Sequence, residues 1–325
     1  MMSDTLIQDL GGIAAGLQEA FPELSDIEPL TLLAIGANSV VTESQNGYLF
    51  RIGRNCRSFE SYEKESRLLP VICDKVDIAV PVPEYLSGPT PMIRHGAIGY
   101  PKLPGRPLSE VSKKVDCRRV AYQLGEFAYQ LHKIPVEHFK YVELPEFRSR
   151  PEALSALWKR ASCYMATHFT PSEFELVHEW VEGRLRDEQM QDYGPCLIHG
   201  DLSCWNILVD ESASAVSGIV DFEFACIGDP AEDLLTQHIL GQEFFEQVLS
   251  AYRRVGGQVE PSFEHRVLYL RVLRLISSLV FHAESGDDGQ LSKCVRKLCK
   301  SILLVPPIWI PNWGRVASEG LLYIT

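Results

Sequence analysis

Apolar residues recur at helical spacing through Leu6, Leu10, Ile13, Leu17 and Phe21. This predicts an amphipathic helix over 5–21, weakened in its middle by Gly11 and Gly12. The pattern changes at Leu30. Segments 30–35, 39–43 and 48–52 are short and apolar and read as strands. Asn46-Gly47, between the second and third, is a strong hairpin-turn signal. A helical stripe follows over 58–69, and then 80–85 with two prolines. Residues 30–100 therefore predict a small antiparallel sheet with a helix laid on it. The stretch 99–108, GYPKLPGRPL, holds three prolines and two glycines. It cannot be a helix interior and reads as a connector between two bodies. Beyond it the pattern predicts helices over 117–132, 151–167 and 171–191, the last opening on Pro171. Short buried strands are expected within 195–208 and 217–224, then helices over 229–240, 243–255, 263–285 and 291–304. The expected fold class is α+β. Residues 1–100 form a sheet-based part, 101–108 a hinge and 109–304 a helical part, and 305–325 form an extension. The prolines, Trp309 and Trp313 of that extension suggest an extended segment packed on a surface. There is no internal repeat.

Composition narrows the function classes. With 46% hydrophobic and 23% charged residues over 325 positions, the chain has globular values. Lys and Arg total 31 against 43 Asp and Glu, a formal charge of −12. A general nucleic-acid binder needs a positive face, so no nucleic-acid partner is expected. A small phosphorylated ligand held by a few local residues stays possible. No apolar run has membrane-span length, so no membrane partner is expected. Met1–Asp4 lacks the basic and apolar regions of a secretory signal. Nine cysteines without a C-x-x-C pair fit reduced thiols, and the expected location is cytoplasmic. A monomer or homodimer is expected.

Candidate chemistry concentrates in 197–235, LIHGDLSCWNILVDESASAVSGIVDFEFACIGDPAEDLL. His199-Gly200-Asp201 follows an apolar run, and Asn206 comes five residues after Asp201 and leads into another. Asp221 ends a third apolar run. Charged and amide groups at the ends of buried strands are costly unless paired or bound to a ligand. Two aspartates and an asparagine form an all-oxygen cluster, which hard cations such as Mg²⁺ prefer when phosphates complete the shell.

At these residues the sequence resembles the aminoglycoside phosphotransferase family, small-molecule kinases of the protein-kinase-like fold. HGDLSCWN resembles its catalytic loop and IVDFE its metal-binding segment. YLFRIGR is similar to its third strand, EKESRLLPVI to the helix carrying its partner glutamate, and LGEFAYQLHKIP to the first long helix of its second lobe. VPVPEYL and GYPKLPGRPL resemble the segment running into its hinge. The resemblance covers roughly 30–300. It implies a bilobal fold, with a small antiparallel-sheet N-lobe and a mainly helical C-lobe, and a Mg²⁺-dependent transfer from ATP or GTP to a small-molecule hydroxyl. Asp201 would orient that hydroxyl and accept its proton. Asn206 and Asp221 would hold Mg²⁺, and His199 would fix the loop. Arg51 would touch phosphates and pair with Glu65, for which Glu60 and Glu63 are rivals. Leu49, on the same strand face as Arg51, would pack on the base. Gly36, Asn38 and Ser39 would form the phosphate-covering turn, and the Pro101 carbonyl and Leu103 N–H would meet the base edge.

Glu223 stands where protein kinases have glycine and would touch metal-bound water or substrate. Asp229 and Asp233 read as acids at a helix start, and Trp205 as a packing residue. Acids that could bind amines on the acceptor are Glu243, Glu246, Asp287 and Asp288. The expected acceptor is an aminoglycoside-like or related amine-bearing molecule, giving an antibiotic-resistance type of activity. A macrolide or a small metabolite such as homoserine or choline is the alternative acceptor. A catalytically silent nucleotide-binding regulator is the alternative of another class.

Overall fold

A computed structural model describes residues 10–24, 27–36, 38–111, 116–144, 151–187, 193–235, 237 and 240–304. The predicted helix turn at 5–9, residues 188–192 and the extension at 305–325 lie outside the described residues. In chain order the elements are α1 (Leu10–Ala20), β1 (Thr31–Ile35), β2 (Ser39–Glu43), β3 (Tyr48–Gly53), α2 (Ser58–Cys73), β4 (Tyr85–Ser87) and β5 (Ala97–Pro101). Next come β6 (Arg106–Pro107), α3 (Leu108–Val111), α4 (Cys117–His132), α5 (Pro151–His168), α6 (Pro171–Leu185), β7 (Cys196–Ile198), β8 (Ile207–Val209) and β9 (Val216–Ile219). The last are β10 (Cys226–Gly228), α7 (Ala231–Leu235), α8 (Gln242–Arg254), α9 (Phe263–Ser285) and α10 (Asp288–Leu304). Two compact units emerge: Met1–Pro145 with Cys196–Cys226 and Gln237–Gly256, and Glu146–Pro195 with Ile227–Thr236 and Gly257–Thr325.

The first unit is built on a five-stranded antiparallel sheet in the order β1-β2-β3-β5-β4. Gly47, at φ 83, supplies the left-handed turn between β2 and β3 that Asn-Gly predicts. Register sets the two faces. Thr42, Phe50 and Gly99 stand opposite one another, as do Val41, Arg51 and Ile98. The Phe50 face is covered by Ile13, Leu17 and Phe21, which form one apolar cluster with Val40, Phe50 and Ile52. Fully burying one such side chain contributes about 1.5–3 kcal/mol. A Cβ on Gly99 would run into the Phe50 ring, so only glycine lets that ring lie flat across the sheet. Gly99 therefore sits inside β5 and is not a breaker, which corrects the expectation that all of 99–108 is connector. Helix α2 likewise runs past its expected end, through Pro70 to Cys73. Leu68, Leu69 and Ile72 are fully buried, and that burial offsets an internal-proline cost of about 3 kcal/mol.

Helices α4 and α8 pack together in the same unit, α4 burying Val120, Leu124, Phe127 and Leu131. A three-stranded sheet, β6-β8-β9, carries the loops that follow. The strand expected over 217–224 ends at Ile219, because Asp221 adopts left-handed backbone and Phe222–Phe224 form a 3-10 turn.

In the second unit α9 packs against α5, α7 and α10. Trp180 stacks on Tyr269 at 5.0 Å between ring centroids. Buried Arg266 pairs with buried Asp229 at 2.8 Å. Thr170 and Glu173 form a capping box at the start of α6. Helix α7 is shorter than the 229–240 pattern predicts. No helix among the described residues is long and apolar enough to cross a membrane.

Candidate active site

The site residues of the first unit converge from β3, α2 and the loops flanking β8 and β9. The alternation of β3 turns Arg51 away from the Phe50 cluster. There its Nη1 donates to both Glu65 oxygens, at 2.9 and 2.8 Å. Glu65 is fully buried and Arg51 6% exposed. The rivals are elsewhere: Glu63 pairs weakly with Arg67, and Glu60 is exposed. Burial disfavours the Arg51 charge, but Glu65 beside it outweighs that and holds Arg51 well above its ordinary range. Arg51 Nη2 also faces Asp221 at 3.5 Å and Glu223 at 3.4 Å.

The catalytic-loop stretch is fixed by its own hydrogen bonds. The buried His199 ring accepts the Asp201 N–H on Nδ1 at 3.2 Å and donates from Nε2 to the Val220 carbonyl at 3.0 Å. That is the pattern of the neutral Nε2–H tautomer. Phe222 packs on the ring at 4.4 Å. Asn206 Nδ2 donates to the Asp201 carbonyl at 2.9 Å and to Asp201 Oδ2 at 3.1 Å. Committing the amide nitrogen to Asp201 turns the Asn206 amide oxygen the other way. Gly200, at φ 77, lies directly against the Phe224 backbone, where no Cβ fits.

Asp221 is one of two described non-glycine residues with positive φ, at 68°. Such backbone is costly and persists where surrounding contacts impose it. Its Oδ1 is buried and has no hydrogen-bond partner, while the side chain as a whole is 41% exposed. A buried carboxylate oxygen facing only a cation at 3.5 Å suits a divalent ion. Among the described residues no three His, Cys, Asp or Glu side chains cluster as a metal site. An ion here would rest on Asp221, the Asn206 amide oxygen and phosphate oxygens.

The Gly36 turn is closed by a bond from its N–H to the Ser39 carbonyl, 2.8 Å. Asn38 Nδ2 donates to Glu223 Oε1, and Asn38 Oδ1 accepts from Asn55. Ser39 Oγ is buried against the Tyr62 hydroxyl at 2.7 Å, so its hydroxyl is committed to α2. Leu49 is half-buried on the Arg51 face, Pro101 is exposed, and Leu103 packs near Gly218.

Three residues were not found from sequence. Lys64 Nζ donates to the carbonyls of Glu223 at 2.5 Å and Ala225 at 3.1 Å. Arg54 donates to the Gly36 carbonyl. Phe224 is 42% exposed beside Gly200. The expectation that Trp205 packs is corrected: it is 67% exposed. Glu243 and Glu246 are exposed on α8 and bonded by Gln247 and Gln242 one turn away. In the second unit Asp287 caps α10 by accepting the Gln290 N–H, and Asp288 opens that helix. Asp229 accepts the Ala231 N–H at the start of α7, as expected of a helix-start acid.

Residues 26–268 match the model of the phosphotransferase enzyme family. The chain belongs to that family. Curated relatives of this phosphotransferase-family chain include viomycin phosphotransferase of Streptomyces vinaceus, 26% identical over 145 residues, 44% of this chain and 50% of that protein. Another is hydroxylysine kinase of Mus musculus, 32% identical over 135 residues, 37% of this chain and 34% of that one. The matches thus span half or less of these relatives' length. Among solved structures, the GDP complex of wild-type aminoglycoside 2'-phosphotransferase-IIIa aligns over 91% of this chain and 99% of its own, at 22% identity and a TM-score of 0.80. That likeness establishes the expected protein-kinase-like fold.

Proposed function

We propose that this family member is a Mg²⁺-dependent O-phosphotransferase that moves the γ-phosphate of ATP or GTP to a hydroxyl of an amine-bearing small molecule. The observation that carries the reading is the Asp201–Asn206 pair with the buried Asp221 oxygen, which accepts no hydrogen bond and faces only the Arg51 cation: one carboxylate held for a hydroxyl, and one amide oxygen and one carboxylate offered to a cation. The GDP-bound relative and the two relatives named for acceptor phosphorylation support it.

The Asp201 carboxylate receives the acceptor hydroxyl as a hydrogen-bond donor, aims its oxygen at the phosphorus and takes its proton. Asn206 holds that carboxylate in place, and His199, with both ring nitrogens committed, holds the loop. Bound at Asn206 and Asp221, Mg²⁺ would neutralise charge on the transferring phosphate. Arg51, fixed by Glu65, reaches the nucleotide phosphates. Leu49 packs on the base, and the Pro101 carbonyl and Leu103 N–H meet its edge. The Gly36–Ser39 turn covers the phosphates through backbone groups and Asn38.

On the acceptor side, Trp205, in the same loop as Asp201, and Phe224, against Gly200, offer exposed aromatic surface. The acids first considered for amine recognition are largely committed: Glu223 to Arg51 and Asn38, Glu243 and Glu246 to helix neighbours, Asp287 to a cap. An acceptor with one amine and apolar surface fits this better than a polycation, since aromatic faces attract ammonium groups. The test is a transfer screen over aminoglycosides, macrolides, choline, homoserine and hydroxylysine with both nucleotides. Transfer to one class identifies the acceptor. Nucleotide binding without transfer to any of them would favour a silent nucleotide-binding protein.

A further inference from the structure

We propose that Lys64 is a positioning residue that sets the metal-binding segment through α2. The inference rests on the nucleotide- and Mg²⁺-binding reading above and adds a residue to it. Helix α2 presents adjacent residues to two different parts of the site. Glu65 grips the Arg51 guanidinium from within the core. Lys64, one position earlier, reaches the carbonyls of Glu223 and Ala225.

One of those carbonyls lies within the 3-10 turn that follows Asp221, and the other at its C-terminal end. The Asp221 backbone is left-handed, and its buried Oδ1 has no hydrogen-bond partner. Such a conformation needs external restraint. Two restraints come from the catalytic-loop side, His199 on Val220 and Phe222 and Gly200 on Phe224. The Lys64 ammonium adds a restraint from α2 on the backbone itself, beside the Arg51 and Asn38 contacts to the Glu223 side chain. It is also a positive charge against a segment bearing two carboxylates, Asp221 and Glu223, that share the single Arg51 Nη2. One helix thereby fixes the phosphate-binding cation and the metal-binding carboxylate in the same frame. Lys64 touches neither phosphate nor metal in this role. It acts through the backbone of residues 223–225.

The test uses the full chain and three proteins: wild type, Lys64→Met, which keeps the aliphatic length, and Lys64→Arg, which keeps the charge and the donors. Nucleotide affinity is measured by titration calorimetry with ATP and GTP, once in EDTA and once with Mg²⁺. Circular dichroism melting reports the fold. Wild type should bind nucleotide more tightly with Mg²⁺ than without. Lys64→Met should keep the metal-free affinity within about twofold and lose the Mg²⁺ enhancement by about tenfold, the size expected for losing charge-assisted hydrogen bonds. Lys64→Arg should restore most of that enhancement.

An unchanged Mg²⁺ enhancement in Lys64→Met would overturn the proposal. So would an equal loss of metal-free and metal-assisted binding, or a loss of enhancement that simply tracks a collapsed melting transition in both variants. A wild type that binds no nucleotide in either condition would instead defeat the functional reading on which the proposal rests, and the proposal with it.

Discussion

Arg51 Nη1 donates to both Glu65 oxygens, and Nη2 faces the Asp221 and Glu223 carboxylates. Arg51→Ala should raise the nucleotide KM by roughly tenfold or more while the acceptor KM moves less than about twofold, because charge-assisted contacts to phosphate are lost. Unchanged nucleotide kinetics would place Arg51 outside the phosphate site. Trp205 follows the opposite logic. Its exposed ring adds little to the core, so Trp205→Ala should leave the melting temperature within a degree or two. It should instead raise the acceptor KM by about tenfold through lost aromatic contact. A destabilised fold with normal acceptor KM would return Trp205 to a packing role. Sequence reading missed this because a tryptophan between two buried strands looks like core. Its exposure follows from the turn Asp201–Asn206, closed by the Ser203 and Asn206 N–H bonds, which no hydrophobic pattern encodes.

At the scale of elements, most of the framework was legible. Strand β2 and helices α4 and α9 fall on their patterns because each has a clear period and a bounded end. The sheet order was not legible: β5 enters between β3 and β4, and its glycine exists to fit Phe50. Helix α2 crosses a proline because tertiary burial overrides local propensity. In the site, HGDLSCWN marks Asp201 and Asn206 as candidates and IVDFE marks Asp221, whereas Lys64 meets backbone carbonyls that sequence does not mark. The short helix α7 yields a prediction of its own. Burial pushes the Glu232 carboxyl up to about 8, with Arg274 opposing the shift. A folded-state pKa above the unfolded value means the native state holds the extra proton between about pH 4.5 and 8. The stabilising contribution is therefore present below that window and is lost as pH rises through it. Glu232→Gln should flatten the decline in melting temperature across this range. An equally steep decline in the variant would exclude Glu232 as its source.

Across the whole molecule, a formal charge of −12 would steer a polycationic acceptor and repel an anionic one. Most of the acids proposed for acceptor binding already serve helix caps, helix pairs or Arg51. The acceptor KM should therefore change less than about threefold between low and high salt, since only exposed, long-range attraction is screened over about 8 Å at physiological ionic strength. A steep rise with salt would instead assign acceptor binding to exposed carboxylates such as Glu243 and Glu246. The central claim is that Asp201 acts on the acceptor hydroxyl while Asn206 and Asp221 hold the metal. Transfer of the γ-phosphate by Asp201→Asn, measured beside its Mg²⁺-nucleotide affinity, tests it most directly. Transfer should fall by about a thousandfold with nucleotide affinity within a few-fold of wild type. Near-normal transfer by the variant would contradict it.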